Sequence, residues 1–348
     1  MFSATAKAAL VSVALSAMTA SATQSVSLKV AGPSDVTDVE NLKVTTTITN
    51  TGDETLRLFN DPNSALSTLP ANTFAISNSA GAAPKFQGIK AKYSRDTVVA
   101  KNLKSFTVLA PGESIDTTHD LSAAYNFTES GEDAYTFDAA KTFYHLSDNG
   151  SVVPVEATTK THSAKVAGKL AVSRKGLNKR AKYNGCSSDQ ESQIDDAVSA
   201  ATTYASDAFN YLSENTESTD RYSTWFGEYD AGRHDTVLSH YQKISEGDYT
   251  SFTYDCTCTD DGTYAYVYPD SYGEIYLCPV FWDVDVTGTD SKGGTLVHEA
   301  SHFTDNGGTD DIVYGQSSAK SLASSDPDQA IQNADNHEYF AENNPSQS

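Results

Sequence analysis

Hydrophobic and polar positions alternate through much of the first half of the chain. The runs VSLKV, NLKVTTTITN and TLRLF are alternating or β-branched, and turn signals such as Thr51-Gly52-Asp53 and Ala110-Pro111-Gly112 separate such runs. A period of two puts successive side chains on opposite faces of a strand, so each run predicts a half-buried strand. Many short strands divided by turns predict an all-β, immunoglobulin-like sandwich over residues 23–180. The period then changes. Ser188-x-x-Glu191 forms a capping box, followed by Ile194, Ala197, Val198, Ala201, Ala205, Ala208, Phe209 and Leu212 at helical spacing, which predicts a long helix burying that stripe. A further helix fits about 233–244. The runs SFTYDC, TYAYVYP and EIYLCPVF, broken by Asp260-Asp261-Gly262 and Pro269-Asp270-Ser271-Tyr272-Gly273, predict a small antiparallel hairpin region. Helix returns at Asp290 or Ser291 and runs to about Thr304, where Asn306-Gly307-Gly308 ends it. A last helix starts at Ser325-Asp326-Pro327 and runs to about Asn343. The second part is therefore mainly α.

Charge and cysteine usage change at the same joint. The chain of 348 residues has 24 Lys plus Arg and 46 Asp plus Glu; from Ala181 onward there are 6 and 30, leaving 18 and 16 before it. The second part thus carries net −24 and the first +2. So acidic a surface argues against nucleic-acid binding, which needs basic patches, and suits cationic substrates. Lys7, the apolar run from Ala8 to Ala17 and Ala20-Ser21-Ala22 read as an export signal over residues 1–22. The run is too short to span a bilayer, so a soluble, secreted protein with no membrane partner is expected. Lys179-Arg180 is a dibasic site of the kind trimmed from secreted precursors. The predicted organisation is signal 1–22, β-rich propeptide 23–180 and catalytic domain 181–348. Two sequons, at Asn126 and Asn149, lie in the propeptide and mark a glycoprotein precursor. The four cysteines all follow the joint, and in an exported chain an even number implies disulfides. A Cys256–Cys258 bridge across one residue is strained, which leaves two pairings; Cys186 with Cys256 and Cys258 with Cys278 is the expectation, chosen over the crossed arrangement.

The candidate chemistry lies in GTLVHEASHFTDNGGTDDIVYG, Gly294 to Gly315. His298 and His302, four apart on one helix face with Glu299 between them, offer the zinc ligand pair of a zincin. A catalytic zinc has three protein ligands and one open position, so a third ligand is needed. The long pattern with glycine three and histidine six residues after the second histidine is excluded, because Asp305 and Gly308 stand there. Glu338 or Glu342 on a later helix and Asp311 in the glycine-rich loop remain as candidates.

His298-Glu299-x-x-His302 followed by Gly308-Thr309-x-Asp311-x-x-Tyr314-Gly315 resembles the deuterolysin family, the aspzincins. The segments NGC, CTC, GTLVHEASHFT and NADNHEYFAENNP are similar to its peptidyl-Lys metalloendopeptidase branch, and the likeness covers residues 182–348. It implies one zinc ion on His298, His302 and Asp311, Glu299 as general base and Tyr314 as assistant to the oxyanion. It further implies that Asp335 and Glu338, three apart on the last helix, line a pocket for lysine on the C-terminal side of the cut bond. The expected activity is hydrolysis of Xaa-Lys bonds in proteins and peptides by a monomeric enzyme whose other partner is its own propeptide. Two alternatives stand beside it: a broad neutral deuterolysin, and a secreted zinc-binding protein without turnover. Only Lys182, Lys243, Lys292 and Lys320 follow Ala181, which is weakly consistent with a lysine-directed protease. A convertase cut after Arg180 leaves Ala181 first, and Ala181–Lys182 is itself an Xaa-Lys bond, so Lys182 is the predicted final N-terminus.

Overall fold

The structure, a computed structural model, describes residues 23–173 and 182–347; the proposed signal segment, Arg180 and Ala181 lie outside them. Residues before the joint form the β-rich region that the alternating pattern predicts. Its larger sheet has seven strands, with Val26–Ala31, Lys43–Asn50 and Ser114–Asp120 at one side. A four-stranded sheet contains Phe74–Asn78, Asp133–Ala139 and His162–Ala167. Both contribute to one core, with Leu28, Ile48 and Leu58 from the first and Ile76, Phe137 and Val166 from the second. Alternation explains the pairing: Val44, Thr46, Ile48 and Asn50 all turn inward along one strand. The two polar members are satisfied inside, Thr46 against His119 at 2.9 Å and Asn50 on the carbonyls of Glu54 and Leu109 at 2.7 and 2.9 Å.

The region after the joint is mainly helical. Its long helix, Ser188–Glu214, buries Ile194, Ala197, Val198, Ala201, Ala205, Ala208 and Leu212. The capping box that starts it is Ser187 with Gln190, one residue before the predicted pair Ser188 and Glu191. The next predicted helix is present as Ala231–Glu246, and a short one, Asp220–Phe226, precedes it. The motif helix is Lys292–His302, capped by Ser291, and every one of its residues is buried. It packs against Ser188–Glu214 and Ala334–Glu342. Gly293 and Gly294 permit that approach, since a Cβ on either would lie 2.7 Å from Ala200 Cβ or 2.1 Å from Glu342 Oε1.

Two predicted elements differ in detail. The last helix is divided into Pro327–Ala330 and Ala334–Glu342, after an additional helix at Gln316–Ser325. At the break, Asn333 Oδ1 accepts from the amides of Ile312 and Val313 at 2.9 and 3.1 Å, which fixes the chain to the loop beside it rather than to a continuing helix. The hairpin region contains the antiparallel pair Thr263–Val267 and Glu274–Leu277, but Thr253–Asp255 runs parallel to the latter and to Tyr183–Asn184. The disulfides join Cys186 to Cys256 and Cys258 to Cys278, with Cα separations of 5.0 and 4.8 Å.

One strand crosses between the regions. Lys90–Tyr93 leaves the β-rich part and pairs antiparallel with Thr263–Val267, completing the five-stranded sheet of the helical part. No feature of the sequence pattern announced it.

Candidate active site

The Lys292–His302 helix presents His298 and His302 on one face, with ring centroids 4.9 Å apart. The chain then turns through Gly308, whose φ of 61° is accessible to glycine, and returns with Asp311. Asp311 Oδ1 lies 3.1 Å from His298 Nε2 and 3.3 Å from His302 Nε2. All three are buried to 5 % side-chain exposure or less. Each outer ring nitrogen faces an acceptor. His302 Nδ1 is 2.7 Å from the Thr309 carbonyl, and His298 Nδ1 is 3.0 Å from Asp335 Oδ1 and 3.2 Å from Glu338 Oε2. With protons on the outer nitrogens, the Nε2 lone pairs are left for a metal.

His302 Nε2 has no hydrogen-bond partner among the described residues, and neither does Glu299 Oε2. Buried polar atoms without partners are costly, and a cation between the imidazoles and Asp311 would satisfy the nitrogen. The electrostatics agree. Burial disfavours a charged His298, yet hydrogen bonds to Asp311, Asp335 and Glu338 raise its pKa well above normal, so the carboxylates call for a positive charge there. Burial pushes Asp311 up, but His302 and His298 outweigh it and hold its carboxyl far below the usual range. Burial drives the pKa of His302 down, the direction that favours the neutral form a ligand needs. Two nitrogens and one carboxylate oxygen form a donor set that suits zinc.

Glu299 stands beside this centre. Burial pushes its carboxyl up to about 8, a proton affinity in the range of a general base. Its Oε1 accepts from the backbone amide of Lys92 at 3.2 Å. Tyr314 Oη donates to the Ala91 carbonyl at 2.9 Å and accepts from Asn63 at 2.9 Å. Burial, with Asp311 and Asp61 adding to it, raises the phenol well above its ordinary value, so it keeps its proton.

Acidic residues beside this centre hold the buried Lys92 side chain. Lys92 Nζ is 2.6 Å from Glu338 Oε2 and 2.9 Å from Asp290 Oδ1, with the rings of Tyr264 and Tyr339 at 4.8 and 5.7 Å. Burial opposes this ammonium, but Asp290, Glu338 and Asp335 prevail and raise its pKa well above normal. Of the predicted pair, Glu338 touches the ammonium. Asp335 adds charge from a step away, because its oxygens face His298 Nδ1 at 3.0 Å and accept from the Gly315 amide at 2.6 Å. The second direct partner, Asp290, escaped sequence reading. It lies 48 positions from Glu338 in the chain, and its signal is a structural one, a non-glycine residue at φ 52°. Tyr339 Oη fixes it with a 2.8 Å hydrogen bond. His337 is occupied by His240 Nδ1 and the Asn333 carbonyl at 3.1 and 3.0 Å, in keeping with a structural histidine. Among the described residues no helix is long and apolar enough to cross a membrane.

Comparison with known proteins gives the family. A family profile described as lysine-specific metallo-endopeptidase, the aspzincins, matches residues 211–342. The peptidyl-Lys metalloendopeptidase of Armillaria mellea is 52% identical over 352 residues, covering 100% of both chains. The chain belongs to the aspzincin family. It is a zinc metalloendopeptidase of the lysine-specific branch. A second such endopeptidase, from Grifola frondosa, is 52% identical over 95% of this chain and 97% of its own. A solved structure titled as a zinc peptidase from Grifola frondosa is 57% identical, covering 47% of this chain and 100% of that one, with a TM-score of 0.47.

Proposed function

We propose that the enzyme hydrolyses Xaa-Lys peptide bonds at one zinc ion held by His298, His302 and Asp311. The observation that carries the lysine reading is the position of Glu338 Oε2, which lies 2.6 Å from a lysine ammonium and 3.2 Å from the outer nitrogen of His298. The pocket for the cation therefore adjoins the metal centre. A charge pair in so desolvated a place discriminates strongly, whereas the same pair at an open surface does little. Asp290 and Glu338 orient the lysine, and Asp335 positions His298 while adding its charge to the pocket.

Zinc, when bound, supplies Lewis-acid polarisation and an acidified water. Glu299 takes a proton at its carboxylate and is placed to return it to the lysine nitrogen as that nitrogen leaves; the 3.2 Å contact with the Lys92 amide supports this second role. Tyr314 donates to the carbonyl oxygen on the acyl side, where negative charge develops.

The same reading makes residues 1–22 a signal for secretion, 23–180 an immunoglobulin-like propeptide and 181–348 a monomeric catalytic domain released at Arg180. The broad neutral alternative would leave Asp290 and Glu338 without a role in selection. Glu299→Gln tests the centre: zinc content should stay at one per chain while turnover falls by about 10²–10⁴. Asp311→Ala should lose both. Full zinc occupancy in Asp311→Ala, measured by metal analysis beside peptide turnover, would move the third ligand elsewhere.

A further inference from the structure

The strand Lys90–Tyr93 lies in the cleft as an extended peptide. It runs antiparallel to Thr263–Val267 with Lys90 opposite Val267 and Lys92 opposite Ala265. Four contacts register it on the chemistry. The Ala91 carbonyl accepts from Tyr314 at 2.9 Å, the Ala91 amide donates to Asp311 Oδ2 at 2.9 Å, and the Lys92 amide donates to Glu299 at 3.2 Å. The Lys92 ammonium fills the pocket of Glu338 and Asp290. The carbonyl thus meets the group proposed to assist the oxyanion, and the following nitrogen meets the group proposed to protonate the leaving amine. Ala91–Lys92 is an Xaa-Lys bond.

The geometry points to Ala91–Lys92 as an internal cleavage site: the N-terminal region threads the cleft as the enzyme's own first substrate, and excludes other peptides until that bond is cut. This rests on the proposed lysine endopeptidase activity. One water is consumed; its hydroxyl joins the Ala91 carbonyl carbon, the C–N bond to Lys92 breaks, and the proton completes a new amino terminus on Lys92. No redox partner is needed. The flanks explain how the bond is presented. Lys90 Nζ reaches the carbonyls of Gly308 and Thr309 at 3.1 and 2.6 Å and Asp310 at 2.8 Å on one side of the bond. On the other, Arg95 pairs with Asp61 at 2.7 Å. An anchored peptide reacts without a diffusional encounter. Cleavage divides the four-residue strand at its centre, and with it the ladder that holds the cleft closed to other peptides.

The test uses the full chain prepared with chelator and then supplied with zinc. Mass spectrometry should show a new N-terminus at Lys92, forming at a rate unchanged by tenfold dilution. Turnover of an external Xaa-Lys peptide should rise in step with the fraction cut. Glu299→Gln, folded by circular dichroism and loaded with zinc, should stay uncut. Lys92→Ala should not be cut there and should act on the external peptide without a lag. An intact Ala91–Lys92 bond in a chain that turns over the external peptide would overturn the proposal. So would a cut whose rate falls tenfold on that dilution, since another molecule would then be making it. A chain latent with the bond intact, but active once a convertase has cut at Arg180, would overturn it while leaving the lysine activity standing. If the convertase-treated chain also cleaves no Xaa-Lys peptide, the proposed function itself fails.

Discussion

At Glu338 a single buried carboxylate faces the Lys92 ammonium at 2.6 Å and the His298 ring at 3.2 Å. Burial pushes its pKa up, and Lys92 and His298 pull it back. The proposed lysine pocket and metal centre therefore share a charge, and replacing residues one by one should separate their roles. Glu338→Gln and Asp290→Asn remove direct partners of a desolvated ammonium, so each should reduce the Lys-to-Ala selectivity ratio by about 2 to 5 kcal/mol. Asp335→Asn should act first on zinc, weakening its binding by about 10- to 100-fold through His298. Paired measurements of zinc affinity and peptide selectivity check this. Undiminished zinc binding in Asp335→Asn with selectivity lost would instead put Asp335 in direct contact with lysine. His298, Glu299, His302, Asp311 and Tyr314 were legible as a constellation because they fall within 17 consecutive residues of a recognisable motif. Asp290 was not, because its role depends on a helix start packing beside Tyr339.

At the scale of elements, local spacing carried the reading and tertiary competition limited it. The stripe from Ile194 to Leu212 specified the long helix, since every turn places alanine or a larger apolar residue on the buried face. Its start was ambiguous because SSDQE contains two overlapping boxes, Ser187 with Gln190 and Ser188 with Glu191. The structure uses the first, with Ser187 Oγ accepting from the Gln190 amide at 3.3 Å. Ser187→Ala should accordingly lower stability by about 1 kcal/mol and Ser188→Ala by less than about 0.5. Urea unfolding of both variants checks the assignment, and the reverse order would shift the cap. The helix Gln316–Ser325 was missed because its buried stripe is only Ala319 and Ala323 among serines. The Lys90–Tyr93 strand was missed for a different reason. Its alternation is short, and its partner lies at least 170 residues away, where no periodicity in one segment can reveal the other.

At the scale of the molecule, the two regions differ in charge and meet through cations of the first. Lys85 pairs with Asp270 at 3.0 Å, Lys90 with Asp310 at 2.8 Å and Lys92 with Asp290 and Glu338. The proposed maturation would undo these contacts and define a new N-terminus. Lys182 is tied down in the structure, its ammonium on Asp195 at 2.7 Å and its carbonyl accepting from the Tyr254 amide at 2.8 Å. Those ties must open before a second molecule can cut Ala181–Lys182. After convertase treatment the wild type should begin at Lys182 and Glu299→Gln at Ala181, by N-terminal sequencing. Ala181 in both would mean that the tether protects the bond.

Selection of lysine by a zinc endopeptidase through Glu338 and Asp290 can be checked by a digest of a mixed peptide library with every new terminus mapped. The matured enzyme should generate new N-termini that begin with lysine, and Glu338→Gln should lose that bias more than it loses total cleavage. New N-termini spread over many residues in the wild type, or an unchanged lysine bias in Glu338→Gln, would contradict the account.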